Sequence, residues 1–537
     1  MADASRPPGP GRRDGITRRR FIELTGRSAA GLTLARLLPD ALFPTAAFAA
    51  GDPRLTDDQV NRWFAVGKRP ARAGNEVVDL VRLETFTSMV RAIRTATAQG
   101  HYIYLANWFV DLRFPLGGTI HSPALGSLLK AACDSKVQVR ALFWDARGTQ
   151  NTPETEEVDG LCPRGTRGAA ILDNRTLNLG SHHQKLLIVN GDEGLIAFCG
   201  GLDFNPDRRD ERGLRFNAGG DTDGAPLHDV HCRVTGPAAW DLLQIFVDRW
   251  KDHPESKAKD KRGALLGAST ARPAAIDNAT HWVQVCRTSG NGNAHAGIGG
   301  NLVSGYSGYS FAPHGERTAA TQIIRGIEQA EKFIYVEDQY FVDTASQPPP
   351  ATPDPNRRDV RAALMATLAK DSFKHLTVLI PHSSLMEYKE FNIRRKALID
   401  ALKGVNEAKV RIFNPTPPKG RYGYVHDKLW VFDDQFVVIG SANLNRRSFT
   451  HDSEVTAGIV DQGLADGSAL WFPHRLRMRL WALQLGVAEN SVLDPIATMN
   501  LWTTNRPATA KFEDYDATLN HDTSYIASWD NIDPDGS

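Results

Sequence analysis

The chain has 537 residues, of which 41% are hydrophobic and 23% are charged, a composition typical of a globular protein with two or three domain-sized units. Its 63 basic and 62 acidic residues give a net charge of +1. Residues 1–49 hold eight of the Arg and four of the acidic residues, so the remainder has 55 basic and 58 acidic residues and a net charge of −3. Because a dedicated nucleic-acid-binding protein usually carries a basic excess, we expect no nucleic-acid partner.

Residues 1–49 have the pattern of a twin-arginine signal peptide. Arg18 and Arg19 precede an apolar stretch, and Ala47-x-Ala49 offers a cleavage site. Charged side chains interrupt the apolar run, which makes it a poor membrane span. We therefore predict a secreted or periplasmic protein that is exported by the twin-arginine translocase. A basic amphipathic helix or a membrane anchor is the alternative.

Cysteine usage argues against a zinc site or a dense disulfide framework, because the number is odd and no Cys-x-x-Cys spacing occurs. The cysteine count is compatible with a single disulfide bond. Two of the cysteines lie in apolar, strand-like runs and are predicted to be core residues. The five are Cys133, Cys162, Cys199, Cys232 and Cys286.

The two halves of the chain repeat one pattern of elements. A helix followed by a strand that starts Ile-Tyr occurs at 92–111 and again at 323–343. Each half then has a second strand, a strand led by His-x-Lys, a strand that ends in Gly-Gly or Gly-Ser, and a last strand. The repeat predicts two similar α/β sandwich domains with mixed sheets, related by pseudo-twofold symmetry, with an active site at their interface.

The predicted boundaries follow from changes in composition along the chain. A charged and then Ala-rich stretch separates the halves, and the end of the chain is polar and acidic. The Gly-rich segment 288–310 is either a loop that closes over a substrate or a disordered surface loop, and the Pro-rich segment 344–359 is a second surface loop. The predicted units are a first domain at 50–255, a linker at 256–280, a second domain at 281–500 and a tail at 501–537.

The two His-x-Lys pairs carry the candidate chemistry. Residues i and i+2 of a strand point to the same face, so His183 and Lys185 project together, as do His426 and Lys428. The runs that follow, LLIV and LWVF, are typical of a buried central strand. Burying an imidazole beside a cation twice costs stability unless an anion lies between the pairs. The duplication therefore predicts a site for a phosphodiester.

Two imidazoles can divide the cleavage of a phosphodiester. One neutral ring attacks phosphorus and becomes a phosphohistidine, while the other protonates the leaving alkoxide and then deprotonates the incoming water or alcohol. The two Lys stabilise charge on the non-bridging oxygens. Asp229 and Glu454 hold matching positions in the last strands of the two halves and are predicted to orient the imidazoles. The sequence shows no metal-ligand spacing, so we expect that no metal or other cofactor is required.

These strings resemble a known family. The segments HHQKLLIVN…GGLDF and YVHDKLWVFDDQFVVIGSANLNRRSF look like the paired HKD motifs of the phospholipase D superfamily. The blocks at 226–250, 333–341 and 477–486 are similar to those of the eukaryotic-type branch that hydrolyses phosphatidylcholine. The resemblance covers most of residues 75–490.

The resemblance implies a phospholipase D that releases phosphatidic acid and a free head-group alcohol, and that also exchanges head groups with primary alcohols. His183 is then the nucleophile and His426 the general acid and base. Lys185, Lys428 and Asn443 hold the phosphate. Further positions carried over as substrate-binding are Ser441, Asn190, Asp433, Gly201 and Gln339. The implied partner is a phospholipid membrane or micelle surface, and the implied state is a monomer.

The sequence departs from the family pattern at two places. Asn190 stands at the Asp position of the first motif, where Asp192 is a shifted substitute, and Asp338 stands where the family usually has Asn, which is expected to alter substrate contacts. Two alternative functions would keep the predicted phosphodiester chemistry, and a third would not. A nuclease or a cardiolipin synthase-like phosphatidyltransferase would use the same site on another substrate, and a non-catalytic exported lipid-binding protein would not use it.

Overall fold

The computed structural model describes residues 51–67, 69–116, 122–145, 151–161, 168–176, 180–205, 227–290, 309–313, 315–344, 360–386, 389–416, 424–450 and 452–516. The predicted signal peptide, Cys162, most of the two predicted loops and the last 21 residues, 517–537, lie outside these ranges. Every helix within them is too short or too polar to span a bilayer.

Eighteen strands are described. Those of the first half are β1 Arg72–Val81, β2 Tyr102–Asn107, β3 Gln138–Trp144, β4 Gly168–Asp173, β5 Leu186–Gly191, β6 Gly194–Gly200, β7 Leu227–His228 and β8 Val230–Thr235. Those of the second half are β9 His281–Ser289, β10 Glu316–Arg317, β11 Phe333–Asp338, β12 His375–Leu379, β13 Val410–Pro415, β14 Tyr424–Val425, β15 Lys428–Phe432, β16 Phe436–Gly440, β17 Glu454–Asp461 and β18 Phe512–Asp514.

Eleven α-helices are described, and they alternate with the strands. In chain order they are α1 Asp57–Asn61, α2 Leu83–Ile93, α3 Leu125–Asp134, α4 Thr152–Gly160, α5 Pro237–Asp252, α6 Ser256–Asp260, α7 Thr318–Gln329, α8 Val360–Leu368, α9 Lys389–Asn406, α10 Arg446–Thr450 and α11 Phe472–Leu485.

The strands of the two halves follow the same order in the sheet. From the centre outward, the first half runs β1-β8-β6-β5-β2-β3-β4 and the second half runs β9-β17-β16-β15-β11-β12-β13, so each strand has a counterpart at the same place. In both halves the last three of these strands are parallel and the others pair antiparallel, which makes each half-sheet mixed. Antiparallel pairing of β1 with β9 joins the halves into one continuous sheet.

The strands that follow the His-x-Lys pairs are apolar on both faces because each face packs on a different core. Leu186 and Ile188 of β5 belong to a core shared by the two halves, whereas Leu187 and Val189 belong to the outer core of the first half. The second half repeats this alternation on β15. Helices α5 and α11 contribute to the shared core. The His-x-Lys pairs therefore start from rigid central strands.

The predicted start of the tail at residue 501 is wrong. Strand β18 pairs with β13, and Trp502 and Phe512 are buried with their ring centroids 4.3 Å apart. Residues 501–516 belong to the second half because these two aromatic side chains bury a large apolar area there. The predicted linker also packs on the first half, since the Gly267 N–H donates to the Tyr104 hydroxyl at 2.9 Å.

Candidate active site

The first imidazole is held by the second half of the chain. The Nδ1 of His183 lies 3.0 Å from each carboxylate oxygen of Glu454, the first residue of β17, and both side chains are fully buried. The backbones are also joined, because the His183 N–H donates to the Ser453 carbonyl at 3.0 Å and the Ser453 N–H donates to the Ser181 carbonyl at 2.9 Å. The strand that carries Glu454 thus positions the imidazole of the opposite half.

The second imidazole is held by the first half in the same way. The Nδ1 of His426 lies 2.7 Å from Asp229 Oδ2, and both side chains are fully buried. The His426 N–H donates to the His228 carbonyl at 2.9 Å, and β14 pairs in parallel with β7 immediately before these residues. The structure therefore places both predicted carboxylates beside imidazoles, with the partners exchanged between the halves.

The ionised state of Asp229 fixes the tautomer of His426. Burial raises the pKa of Asp229, but the hydrogen bond and the charge of His426, together with Lys428, outweigh burial and lower the pKa below its ordinary value. A carboxylate on Nδ1 keeps the proton on that nitrogen, so Nε2 is the ring nitrogen suited to chemistry. The contact between Glu454 and His183 has the same form.

The two ammonium groups have different partners. Lys185 Nζ lies 3.2 Å from Asp203 Oδ2 and 5.9 Å from the ring centroid of Trp108. Lys428 Nζ donates to Gln339 Oε1 at 3.0 Å and lies 3.2 Å from both ring nitrogens of His426. The first Lys is therefore paired with a carboxylate, whereas the second is held by a neutral amide.

His231 connects the two motifs, and the sequence analysis missed it. Burial lowers the pKa of His231 to about 4, with Asp229 and Asp203 acting to raise it and Lys185 acting to lower it. It is therefore neutral at pH 7 and lies near Lys185 of the first pair and near Asp229, the partner of His426. The sequence could have indicated His231. In the string His-Asp-Val-His, Asp229 and His231 are two residues apart, and residues with this spacing on a strand lie on the same face.

Gly201 and Ser441, predicted to bind substrate, instead support the two carboxylates. The Ser441 hydroxyl donates to Glu454 and accepts the Val455 N–H at 3.0 Å. At the matching position of the first motif, any Cβ on Gly201 would collide with the carboxylate oxygens of Asp229. A Ser occupies one position because its hydroxyl binds Glu454. A Gly occupies the other because Asp229 leaves no room there for a side chain.

Gln339 and Asn443 lie at the same edge of the sheet as the two Lys. Gln339 holds Lys428 and donates from Nε2 to the Tyr424 hydroxyl at 2.9 Å. Asn443 is fully buried three residues after β16. Its counterpart in the first motif is Asp203, which the sequence analysis did not single out although it occupies the Asn position of that motif.

Asp433 and Asn190 do not belong to the site, so their prediction as substrate-binding residues is wrong. Asp433 follows the last residue of β15 and is about 16 Å along the strand from Lys428. Its carboxylate accepts the N–H groups of Glu331, Lys332 and Phe333 at 2.7, 2.9 and 2.9 Å, which ties the turn to the start of β11. Asn190 lies at the equivalent far end of β5, opposite Tyr102.

The two departures from the family pattern also have structural explanations. Asp192 lies in the turn after β5, at the far end of the sheet. Its carboxylate accepts a hydrogen bond from the Thr97 hydroxyl at 3.0 Å. Asp338 accepts the N–H groups of Tyr340, Phe341 and Leu444 at 2.8, 2.7 and 2.9 Å. It therefore fixes the loop that carries Gln339, and the expected change in substrate contacts does not follow from its position.

One cluster among the described residues has donors that suit a metal ion. His228, Glu337 and Asp427 each offer one ligand atom, and these atoms lie within 4.8 Å of one another. Burial and the neighbouring Glu337 raise the pKa of Asp427 well above its ordinary value. The cluster lies directly behind the second His-x-Lys pair, because Asp427 is the residue between His426 and Lys428.

Two family models match the chain. The model described as Phospholipase D matches residues 213–349, and the model described as Cardiolipin synthase, PLD-like domain, matches residues 323–476. These matches support the assignment of the chain to the phospholipase D superfamily. Superfamily enzymes are of the phosphodiesterase type, which agrees with the paired imidazoles and ammonium groups of this site.

The curated proteins that are similar to the chain include plant enzymes. The chain is 25% identical to phospholipase D alpha 2 of Arabidopsis thaliana over 554 residues, covering 79% of this chain and 66% of that protein. It is 26% identical to phospholipase D alpha 1 of Cynara cardunculus over 530 residues, covering 74% of this chain and 63% of that protein. The chain thus spans less than two thirds of the length of either relative.

Solved structures with a similar chain trace include two other proteins. Phosphatidylserine synthase of Haemophilus influenzae Rd KW20 is 12% identical, with a TM-score of 0.48 and coverage of 76% of this chain and 86% of that chain. Yeast tyrosyl-DNA phosphodiesterase is 12% identical, with a TM-score of 0.39 and coverage of 72% and 89%.

Proposed function

We propose that this superfamily member is an exported phospholipase D. It hydrolyses glycerophospholipids such as phosphatidylcholine to phosphatidic acid and the free head-group alcohol, and it transfers the phosphatidyl group to primary alcohols. The observation that carries the proposal is the exchange of carboxylates between the halves, in which each half holds the buried imidazole of the other. Because one chain supplies both imidazoles, a monomer suffices.

The first chemical step forms a covalent intermediate. The Nε2 of His183 attacks phosphorus, and the bond from phosphorus to the head-group oxygen breaks. His426, protonated at Nε2, gives its proton to the leaving alkoxide. Lys185, Lys428 and Asn443 bind the non-bridging oxygens, where negative charge grows in the transition state.

The second step releases the phosphatidyl group. His426 is now neutral and takes a proton from water, whose oxygen attacks phosphorus while the bond to His183 breaks. Water yields phosphatidic acid, and a primary alcohol in its place yields a phosphatidyl alcohol. In both steps Glu454 and Asp229 hold the Nδ1 protons and stabilise each ring when it carries positive charge.

The lipid substrate and the export route rest on the sequence. The relatives named phospholipase D alpha match 79% and 74% of the chain, and the twin-arginine pattern of residues 1–49 favours export to the periplasm or beyond the cell. A lipid surface is then the partner. The match to a model described as Cardiolipin synthase, PLD-like domain, favours a phosphatidyltransferase as the second candidate.

One set of incubations separates these activities. The purified chain is incubated with phosphatidylcholine vesicles in excess chelator, with and without ethanol, and in parallel with phosphatidylglycerol micelles and with plasmid DNA. Choline release together with phosphatidylethanol is the expected result. Cardiolipin formation without choline release would identify the transferase, nicked plasmid with intact lipid would identify a nuclease, and no product in any tube would contradict a catalytic function.

Variants test the two-histidine mechanism directly. We expect His183→Ala and His426→Ala each to abolish turnover, while His375→Gln, a change of a buried imidazole on β12, retains it. With p-nitrophenyl phosphocholine, whose leaving group needs no protonation, His426→Ala should release about one equivalent of p-nitrophenol and gain the mass of phosphocholine. A burst from His183→Ala instead would reverse the assignment of the two imidazoles.

A further inference from the structure

A compact cluster of one imidazole and two carboxylates lies behind the second catalytic imidazole. The Nε2 of His228 is 3.0 Å from Glu337 Oε2 and 3.2 Å from Asp427 Oδ2. The exposed fractions of His228, Glu337 and Asp427 are 6%, 0% and 0%. The three residues come from β7, β11 and the segment before β15. Because they are far apart along the chain, the sequence alone did not indicate that they form a cluster.

The hydrogen bonds of the described residues leave this cluster incomplete. No N–H or hydroxyl group of the described residues donates a hydrogen bond to either carboxylate oxygen of Asp427, although the side chain is wholly buried, and its polar neighbours are the Nε2 of His228 and the carboxyl group of Glu337. Glu337 accepts the Tyr335 hydroxyl, and no Lys or Arg of the described residues lies within ion-pair distance of Glu337 or Asp427. Two adjacent buried carboxyl groups must either share a proton or bind a cation, because two charges that have lost their hydration repel each other.

The equivalent positions around the first His-x-Lys pair hold neutral groups. Ala106 stands at the position of Glu337, Gln184 at that of Asp427 and Ser453 at that of His228. Their polar atoms are satisfied, since Gln184 Oε1 accepts from Arg249 at 2.9 Å and Ser453 Oγ lies 2.7 Å from the Nδ1 of His182. The fold therefore does not need acidic residues here, and the second half has them for another reason.

We propose that His228, Glu337 and Asp427 bind one divalent first-row transition metal ion, of the class of Mn²⁺, Fe²⁺ or Zn²⁺. One imidazole and two carboxylates are donors of this class of ion. Contacts of 3.0 and 3.2 Å between donors fit bonds of about 2.0–2.2 Å to a shared ion. A charge of +2 neutralises the two carboxylates and occupies the unused oxygens of Asp427.

The ion fixes the second motif and takes no part in phosphoryl transfer. Asp427 is joined by peptide bonds to His426 and Lys428, and the carbonyl of His228 accepts the His426 N–H at 2.9 Å. An ion between Asp427 and His228 therefore ties the backbone under His426 to the backbone that carries Asp229. Since the ligands are buried, chelator does not remove the ion from the folded chain, and the inference stands whichever substrate the enzyme takes.

Metal analysis of the intact protein tests the inference. The chain is produced in media supplemented with Mn²⁺, Fe²⁺ or Zn²⁺, passed over chelator and analysed by mass spectrometry for metals. We expect about one ion per chain, released when guanidinium unfolds the protein. Asp427→Asn and Glu337→Gln should fall to less than a tenth of this value. Asp452→Asn, which changes another fully buried carboxylate, should keep the full value.

Either of two results would overturn the inference. One is wild-type protein with less than a tenth of an ion per chain from all three media, and the other is equal metal content in wild type and a folded Asp427→Asn. Circular dichroism shows which variants fold. If neither variant folds, the wild-type stoichiometry and its release on unfolding decide the question, and His426→Ala, which leaves all three ligands intact, should still hold the ion.

Discussion

The Nδ1 of His183 lies 3.0 Å from the carboxylate of Glu454, a residue 271 positions later in the chain. The reciprocal contact joins His426 to Asp229, 197 positions earlier, at 2.7 Å. Each imidazole therefore depends on the opposite half for its tautomer and orientation. The site is shared between the halves as well as lying at their interface.

Removing the charge of either carboxylate tests this dependence. We expect Glu454→Gln and Asp229→Asn each to lower kcat by on the order of 10²–10⁴-fold with KM changed only a few-fold, because an amide can stabilise the wrong tautomer and does not stabilise the charged ring. Steady-state kinetics on the substrate identified above gives both parameters. Glu407→Gln, at an exposed position, is the matched control. A kcat within threefold of wild type would show that orientation by these carboxylates is dispensable.

The different partners of the two Lys predict different costs in stability. Lys185→Met leaves the fully buried Asp203 without its cation, at a cost of about 3–5 kcal/mol. Lys428→Met removes the donor to the neutral amide oxygen of Gln339 and leaves Asp229 paired with His426, at a cost of about 1–3 kcal/mol. Chemical denaturation should therefore give the lower free energy of unfolding for Lys185→Met. The reverse order would mean that the charge of Asp203 is compensated elsewhere.

The space beside Asp229 predicts that Gly201→Ala impairs catalysis. The added Cβ would collide with both carboxylate oxygens, so Asp229 must turn away from His426. We expect kcat to fall at least tenfold while the protein remains folded by circular dichroism. Gly404→Ala is the matched control, because a Cβ there meets nothing within 4 Å and an Ala in a helix should add up to about 1 kcal/mol of stability. Full activity in Gly201→Ala would show that Asp229 has room to move without loss.

His375 predicts part of the response of stability to acid. Burial lowers the pKa of His375 to about 3, below its ordinary value of 6.5, so between these values the unfolded chain binds a proton that the folded chain does not. Its contribution is fully present above about pH 6.5 and is lost as the pH falls, by about 1.4 kcal/mol per pH unit. Relative to wild type, His375→Gln should gain about 2 kcal/mol between pH 6.5 and pH 5. Denaturation at both pH values checks this, and a difference that does not change with pH would contradict it.

The repeat and the two His-x-Lys pairs were predictable because they follow from patterns within single segments. Alternation on β5 and β15 and the i, i+2 spacing of His183 and Lys185 are local properties of a strand. The matched positions of Asp229 and Glu454 also identified them, although the sequence did not indicate which imidazole each would contact. That choice depends on packing between the halves.

The residues that were missed or misplaced depend on tertiary contacts. Asp433 is a motif residue that caps the far end of its strand, and only the length of β15 reveals its distance from Lys428. Trp502 and Phe512 lie in a segment whose average composition is polar, so two buried aromatic side chains were hidden in it. His228, Glu337 and Asp427 meet only when three separate strands assemble.

The exchange of carboxylates has a consequence for the chain during its synthesis. The ribosome must synthesise the strand that starts at Glu454 before His183 can contact its carboxylate. Likewise, almost 200 residues are synthesised between Asp229 and its partner His426. A nascent chain that stops short of this strand has His183 without the carboxylate that orients it. Lipid-cleaving capacity, on the proposed function, therefore arises late and all at once, which protects the membranes of the cell that makes the enzyme from unfinished copies.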